Sequence, residues 1–254
     1  MTDADLCRMA ILAYQPAESA RAGANDLGFP LTDFVSVDGT EMLVASNSTN
    51  DCVVAFRGTT VASLRDWLTN VRFRFTSYPG YGRVHRGFMW STMNVVEDID
   101  RLLGSHHVIH DHKRLHLVGH SMGGAIAHLA VPIVTDMGIE VETLATFGCP
   151  RPGDAEFAGS IDGIPKNIHR WVNNTDIVPH MPLRSRILPS FSYRHVGPAT
   201  YISTTGRVYD APGRFYRTCD YIRGLWAGWG DMRIDGLKDH NTNEYLRHIH
   251  AAES

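Results

Sequence analysis

Ser121 stands between Gly119 and Gly123 in the run Gly119-His120-Ser121-Met122-Gly123, directly behind the apolar stretch that starts at Arg114. A serine at a sharp strand-to-helix turn holds its hydroxyl above the edge of a sheet, and a glycine two residues to either side removes Cβ atoms that would clash in such a turn. The helix that follows brings free backbone N–H groups and its positive dipole end to the place where an oxyanion would develop. The chemistry this pattern suits is acyl transfer through a covalent intermediate, with no metal or organic cofactor required. A serine hydroxyl needs a histidine to take its proton and a carboxylate to fix the tautomer of that histidine. Asp176 is the best acid, because it ends the loop that follows the predicted strand Ile168 to Val172, on the side of a sheet where sites gather, whereas Asp154 and Asp162 lie in a more polar loop. Downstream histidines are His180, His195, His240, His248 and His250, and the sequence by itself leaves His195 and His240 open as the base.

These residues need a scaffold, and the pattern of the chain supplies one. Leu6, Met9, Ala10 and Ala13 recur at helical spacing, which predicts an amphipathic helix near the start. Strands are predicted from Thr40 and from Asp51, joined by the turn residues of "SNSTN" into an antiparallel hairpin. Phe88, Val95, Ile99 and Leu102 would line one side of the next helix. The stretch "RLHLVGHS" leaves little room for a polar face, as expected of a strand covered on both sides. Beyond Ser121 the small residues of "MGGAIAHLAVPIVTDMG" suit a helix lying close against the sheet, kinked or split at Pro132. Two further strand-to-loop units start near Val141 and Asn167, and "PATYISTTGRVYD" reads as another strand or hairpin. Strands alternating with helices predict an α/β fold, mostly parallel in its central sheet with antiparallel edge additions. Residues 211–239 form an insertion without clear periodicity, read as a long surface excursion.

Composition sets the remaining bounds. A chain of 254 residues without repeats or a linker tract reads as one domain over residues 1–254. Of its 24 basic residues 21 are arginine, interspersed with acids at a formal net charge of −3, so nothing resembles a nucleic-acid surface. No apolar run reaches the roughly 20 residues of a transmembrane segment. The acidic start "MTDADLCRMA" is no export signal, which gives a cytoplasmic reading, or a secreted one for a mature form. Four scattered cysteines read as free thiols, and the histidine-rich run 105–112 as a polar surface at a helix end rather than a zinc site.

Taken together, "FRGT" at 56–59, "VHRGF" at 84–88, "GHSMGG" at 119–124, "NNTDIVPHMP" at 173–182 and "DHNTNEY" at 239–245 resemble the class 3 lipase family, the fungal-type triacylglycerol lipases of the α/β-hydrolase superfamily. The similarity runs from about Leu12 to Leu246. It implies Ser121 as nucleophile, Asp176 as acid and His240 as base, with an oxyanion hole at the backbone N–H groups of Thr59 and Met122 and a contribution from the Thr59 hydroxyl. His195, His85 and His120 then become structural. The resemblance also implies that residues 60–71 are a lid, with Val61, Leu64, Trp67 and Leu68 against the substrate. Val61, Leu64, Leu68 and Val71 do fall near one side of a short helix, a pattern that a static core helix would share. The expected partner is a lipid or other ester substrate met transiently at a lipid interface. A polar-ester esterase, a phospholipase or galactolipase, and a non-catalytic binding module are the alternatives, and the last sits poorly with a complete set of catalytic residue types. Oligomeric state cannot be read from the sequence.

Overall fold

A computed structural model describes residues 1–59, 74–174, 176–182, 192–213, 216, 219–220 and 240–253. Helices α1 (Asp3–Leu12) and α2 (Ala17–Asp26) come first, followed by the antiparallel strands β1 (Leu31–Val37), β2 (Thr40–Ser46) and β3 (Asp51–Phe56). β4 (Phe75–Tyr78) and β5 (Gly82–His85) pair as a separate hairpin and lead into α3 (Arg86–Asn94) and α4 (Val96–Ser105). After β6 (Arg114–His120) come α5 (Met122–Asp136), β7 (Val141–Phe147), α6 (Ala155–Ile161), β8 (Asn167–Asn173), β9 (Thr200–Ile202), β10 (Val208–Asp210) and α7 (Thr242–Glu253). The main sheet has the order β1-β2-β3-β6-β7-β8-β9-β10. Its ladders from β3 to β9 are parallel, and its outer pairs β1–β2, β2–β3 and β9–β10 are antiparallel.

Burial on both faces explains why the central strands β3 and β6 are largely apolar. On one face Leu117 and Leu144 pack with Ile126, Leu129 and Ala130 of α5, and with Phe88 and Ile99 of α3 and α4. On the other, Val118, Ala145, Phe147 and Trp171 meet Leu6, Met9 and Ala10 of α1 and Tyr245 and Ile249 of α7. This is the three-layer α/β arrangement that the alternation of elements predicts.

Two local expectations need correction, and a third, at Pro132, loses one of its two alternatives. Pro132 does not split α5, which runs unbroken through it. One missing N–H costs one intrahelical bond, and the buried residues around it hold the helix on. Phe88 and Ile99 are both buried, but on two helices rather than one, with the chain breaking at Val95 where φ is −118°. In the histidine-rich run His106 is not surface. Its ring is buried, with Nδ1 2.9 Å from Ser46 Oγ and Nε2 3.0 Å from Asp33 Oδ2. Burial is the largest influence on this imidazole and lowers its pKa from the ordinary value despite Asp33.

The outcome that matters for chemistry is where the loops go. The turns after β3, β6, β7 and β8 leave the C-terminal edge of four neighbouring parallel strands, the edge at which α/β sheets gather their ligands.

Candidate active site

Ser121 occupies the turn between β6 and α5 with φ +58° and ψ −132°. A non-glycine residue at positive φ is strained and persists only where its surroundings hold it. Here its N–H donates to the Phe147 carbonyl at 2.9 Å, and its own carbonyl accepts from the Gly124 N–H at 3.0 Å. The glycines around it have a steric reason. A Cβ on Gly119 would come closer than 3.0 Å to the backbone of Gly123, and one on Gly123 closer than 3.0 Å to the Phe56 carbonyl. Helix α5 therefore starts flush against β3 and β6. Met122, its first residue, has an N–H with no acceptor inside its own helix.

Asp176 is buried in the turn after β8. Oδ1 accepts from the Val178 N–H at 2.9 Å. Oδ2 accepts from the Tyr245 hydroxyl at 2.6 Å and from His240 Nδ1 at 2.8 Å. A carboxylate only accepts, so the proton of the neutral His240 ring sits on Nδ1 and Nε2 is left with a bare lone pair. Tyr245 comes from α7, and its oxygen in turn accepts from the Asn173 N–H at 3.0 Å, which ties α7 to the end of β8.

Among the described residues His240 Nε2, Ser121 Oγ and Thr59 Oγ1 are buried atoms without a hydrogen-bond partner. Buried polar atoms are nearly always satisfied, so three orphans in one neighbourhood call for an explanation. That they share a neighbourhood follows from the contacts between them. The Ser121 N–H is bonded to Phe147, whose successor Gly148 lies so close to His240 that a Cβ there would be 2.9 Å from the ring Cε1 and Nδ1. Gly58, which precedes Thr59, is near enough that its Cβ would lie 2.9 Å from Ser121 Cβ.

His120 completes the surroundings. Its ring is tilted 35° against that of His240 with centroids 4.4 Å apart, and its Nε2 lies 2.7 Å from the His240 carbonyl oxygen. Burial first, and the charge of His240 second, push its pKa well below the ordinary histidine value. Tyr14 Oη lies 2.8 Å from His120 Nδ1 and accepts from the Gly58 N–H at 3.1 Å.

A sequence description of the family known as Lipase (class 3) matches residues 53–186, more than half of the chain. The chain belongs to the class 3 lipase family. It is 30% identical to the lipase of Rhizopus oryzae over 185 residues, 68% of this chain and 45% of that protein. It is 32% identical to the secreted mono- and diacylglycerol lipase A of Penicillium camembertii over 173 residues, 66% of this chain and 54% of that one. This class 3 lipase family member thus spans about half the length of the curated relatives it matches. Among solved structures it is similar to the lipase of Rhizopus microsporus var. chinensis, with a TM-score of 0.65 and 27% identity over 79% of this chain and 73% of the other. A variant of MDLA from Penicillium cyclopium gives a TM-score of 0.69 at 25% identity, over 84% and 85% of the two chains. The α/β-hydrolase fold of these lipases is the fold found here.

Of the residues expected at the site of this class 3 family member, Asp176 and His240 are in direct contact, while Ser121, Met122 and Thr59 stand in the adjoining turns. Val61, Leu64, Trp67 and Leu68, with the rest of segment 60–71, lie outside the described residues, as does most of the insertion 211–239. His195 is half-buried, with Nε2 donating to the Pro179 carbonyl at 2.7 Å, and it touches neither Ser121 nor Asp176 through any hydrogen bond among the described residues. Sequence reasoning missed Tyr245, Gly148, Gly58 and Tyr14. Tyr245 sits inside the "DHNTNEY" motif and was there to be found, whereas Tyr14 follows a helix end and carries no local signal.

Proposed function

We propose that this chain is a serine carboxylic-ester hydrolase that cleaves acyl glycerides through an acyl-enzyme, with residues 1–254 acting as one α/β-hydrolase domain. The observation that carries this reading is the set of three buried, unpartnered atoms, Ser121 Oγ, His240 Nε2 and Thr59 Oγ1, beside an Asp176–His240 pair that is already made. In the first step Ser121 Oγ bonds to the ester carbonyl carbon while its proton passes to His240 Nε2. Asp176 stabilises the imidazolium that results, and the Tyr245 hydroxyl keeps Oδ2 in place. The negative charge on the carbonyl oxygen is met by the N–H groups of Thr59 and Met122, joined by the Thr59 hydroxyl. Collapse breaks the bond to the glycerol oxygen, which leaves with the proton from His240. Water, deprotonated by the same ring, then releases the fatty acid and restores Ser121.

Acyl glyceride as the substrate class draws on the relatives named as lipases and as mono- and diacylglycerol lipases. Segment 60–71 directly follows Thr59 in sequence, and in this reading it is the cover whose apolar residues Val61, Leu64, Trp67 and Leu68 meet the acyl chain. Names such as secreted lipase among the relatives favour the secreted reading for this chain as well.

The deciding experiment is labelling with a serine-directed phosphonate, combined with turnover of p-nitrophenyl esters from two to sixteen carbons and of emulsified triglyceride. Ser121 should carry the label, Ser121→Ala should abolish turnover, and rates should rise once substrate aggregates. Full ester turnover by Ser121→Ala would remove the hydrolase reading. Saturation on monomeric short esters without triglyceride turnover would leave an esterase.

A further inference from the structure

His120 Nε2 faces a carbonyl oxygen, that of His240, which can only accept. The proton of the neutral ring therefore sits on Nε2, and Nδ1 is a bare acceptor. The Tyr14 hydroxyl, 2.8 Å away, supplies the matching donor, and its oxygen keeps a lone pair for the Gly58 N–H at 3.1 Å. All the donors and acceptors in this chain are matched, from the Gly58 N–H through Tyr14 and His120 to the His240 carbonyl. The two ends of the chain are functional in the reading above. Gly58 immediately precedes Thr59, and His240 is the base. We propose that Tyr14 and His120 are positioning residues that lock the oxyanion turn and the base histidine into one geometry. This inference rests on the hydrolase reading.

The arrangement has physical consequences. Asp176 grips the His240 ring through Nδ1, and His120 grips its main chain, so the base is held at two points and Nε2 can aim only one way. The bridge does this without adding charge. Burial keeps His120 neutral, so this ring adds no positive charge against the imidazolium as His240 takes the serine proton. Arg57 lies over the far part of the bridge, 5.6 Å from the centre of the Tyr14 ring. Space is matched too, since any Cβ on Gly58 would collide with the Tyr14 hydroxyl and the His120 carbonyl.

Four variants test the bridge, each measured per folded molecule alongside Ser121→Ala. Tyr14→Phe keeps the ring and removes only the hydroxyl. It should lower kcat and the rate of phosphonate labelling about 10- to 100-fold, the scale of a slightly misplaced catalytic group, with KM changed less than about threefold. His120→Leu should cost at least as much. His120→Gln, whose amide N–H can still reach the His240 carbonyl, should recover part of that loss. In the double variant Tyr14→Phe/His120→Leu the loss should equal that of His120→Leu alone, because the two act as one unit. Melting temperature separates this from a packing role, which would lower stability and leave kcat per folded molecule unchanged. Wild-type kcat in Tyr14→Phe, multiplying losses in the double variant, or no advantage of Gln over Leu would each overturn the proposal. If Ser121→Ala is dead while Tyr14→Phe is normal, only the bridge falls. If Ser121→Ala is active, the hydrolase reading falls and takes the bridge with it.

Discussion

Gly148 has φ +59°, and a Cβ on it would lie 2.7 Å from Asp176 Oδ2 and 2.9 Å from the His240 ring. Two independent costs follow for Gly148→Ala. The left-handed backbone costs an L-residue about 1–2 kcal/mol, and the methyl group would push apart the Asp–His contact. Turnover of a soluble ester should fall at least about 10-fold, with a modest drop in melting temperature; a variant with normal kcat would show that the pair tolerates displacement. At this scale the sequence was informative where chemistry imposes a residue type. A nucleophile in a tight turn needs glycines around it, which made Ser121 legible, and Asp176 stood out by its place in the loop after a predicted strand. The choice between His195 and His240 rested on the resemblance carried by the motif at 239–245, because no spacing argument reaches across the 64 residues that separate His240 from its partner Asp176. Gly148 and Gly58 were opaque for the same reason, since what forbids their side chains comes from distant segments.

Among elements, α5 is the one whose position fixes the site. Gly119, Gly123 and Gly124 let it approach the sheet so closely that Gly123→Ala would drive a Cβ into the Phe56 and Arg57 backbone. Main chain on both sides cannot yield cheaply, so the variant should lose several kcal/mol, read as a melting temperature more than about 8 °C lower or as insoluble protein. Gly159→Ala is the matched control on α6. Its Cβ would meet nothing within 4 Å, and the helix-favouring methyl should leave stability unchanged or raise it by about 0.5–1 kcal/mol. Equal behaviour of the two variants would show that close approach is not what these glycines provide. The covered strands β3 and β6 were readable because burial on both faces makes a strand largely apolar. Strand β1 was missed: only Val35 among its seven residues is buried, so its apolar signal is weak. The Asp38-Gly39 pair was nevertheless a usable cue, and both residues take positive φ in the tight β1–β2 turn. Helix α2 escaped notice for a similar reason, since it buries only Ala20 and Ala24.

For the molecule as a whole, histidine burial sets the response to acid. Burial lowers the pKa of His85 and of His128 to about 4, and holds His120 and His195 well below the ordinary value, with Arg170 and Arg151 adding to the effect at His195. The unfolded chain, with ordinary values near 6.5, binds more protons than the folded one between about pH 6.5 and 4. The stabilisation is therefore complete above pH 6.5 and is lost as pH falls through that window, by about 1.4 kcal/mol per pH unit for each full proton taken up. His169 has the opposite sign, because its bond to Asp3 raises its pKa and favours the fold below pH 6.5. That ring is partly exposed, so solvent screens the effect and the buried set outweighs it. Melting temperature should fall steadily from pH 7 to pH 4.5, and His128→Gln should flatten the slope. A temperature profile independent of pH over that range would contradict the assignment.

The last described helix packs on the first. Cys7 Sγ lies 3.9 Å from the Thr242 carbonyl, and the Ala4 N–H donates to Glu253 Oε1 at 3.3 Å. This clasp gives the site a timetable during synthesis on the ribosome. The turns bearing Thr59, Ser121 and Asp176 can form while translation continues, but a nascent chain has neither His240 nor the Tyr245 hydroxyl until α7 emerges and finds α1. In the proposed mechanism the serine has no base up to that moment, so hydrolysis waits until α7 has packed on α1.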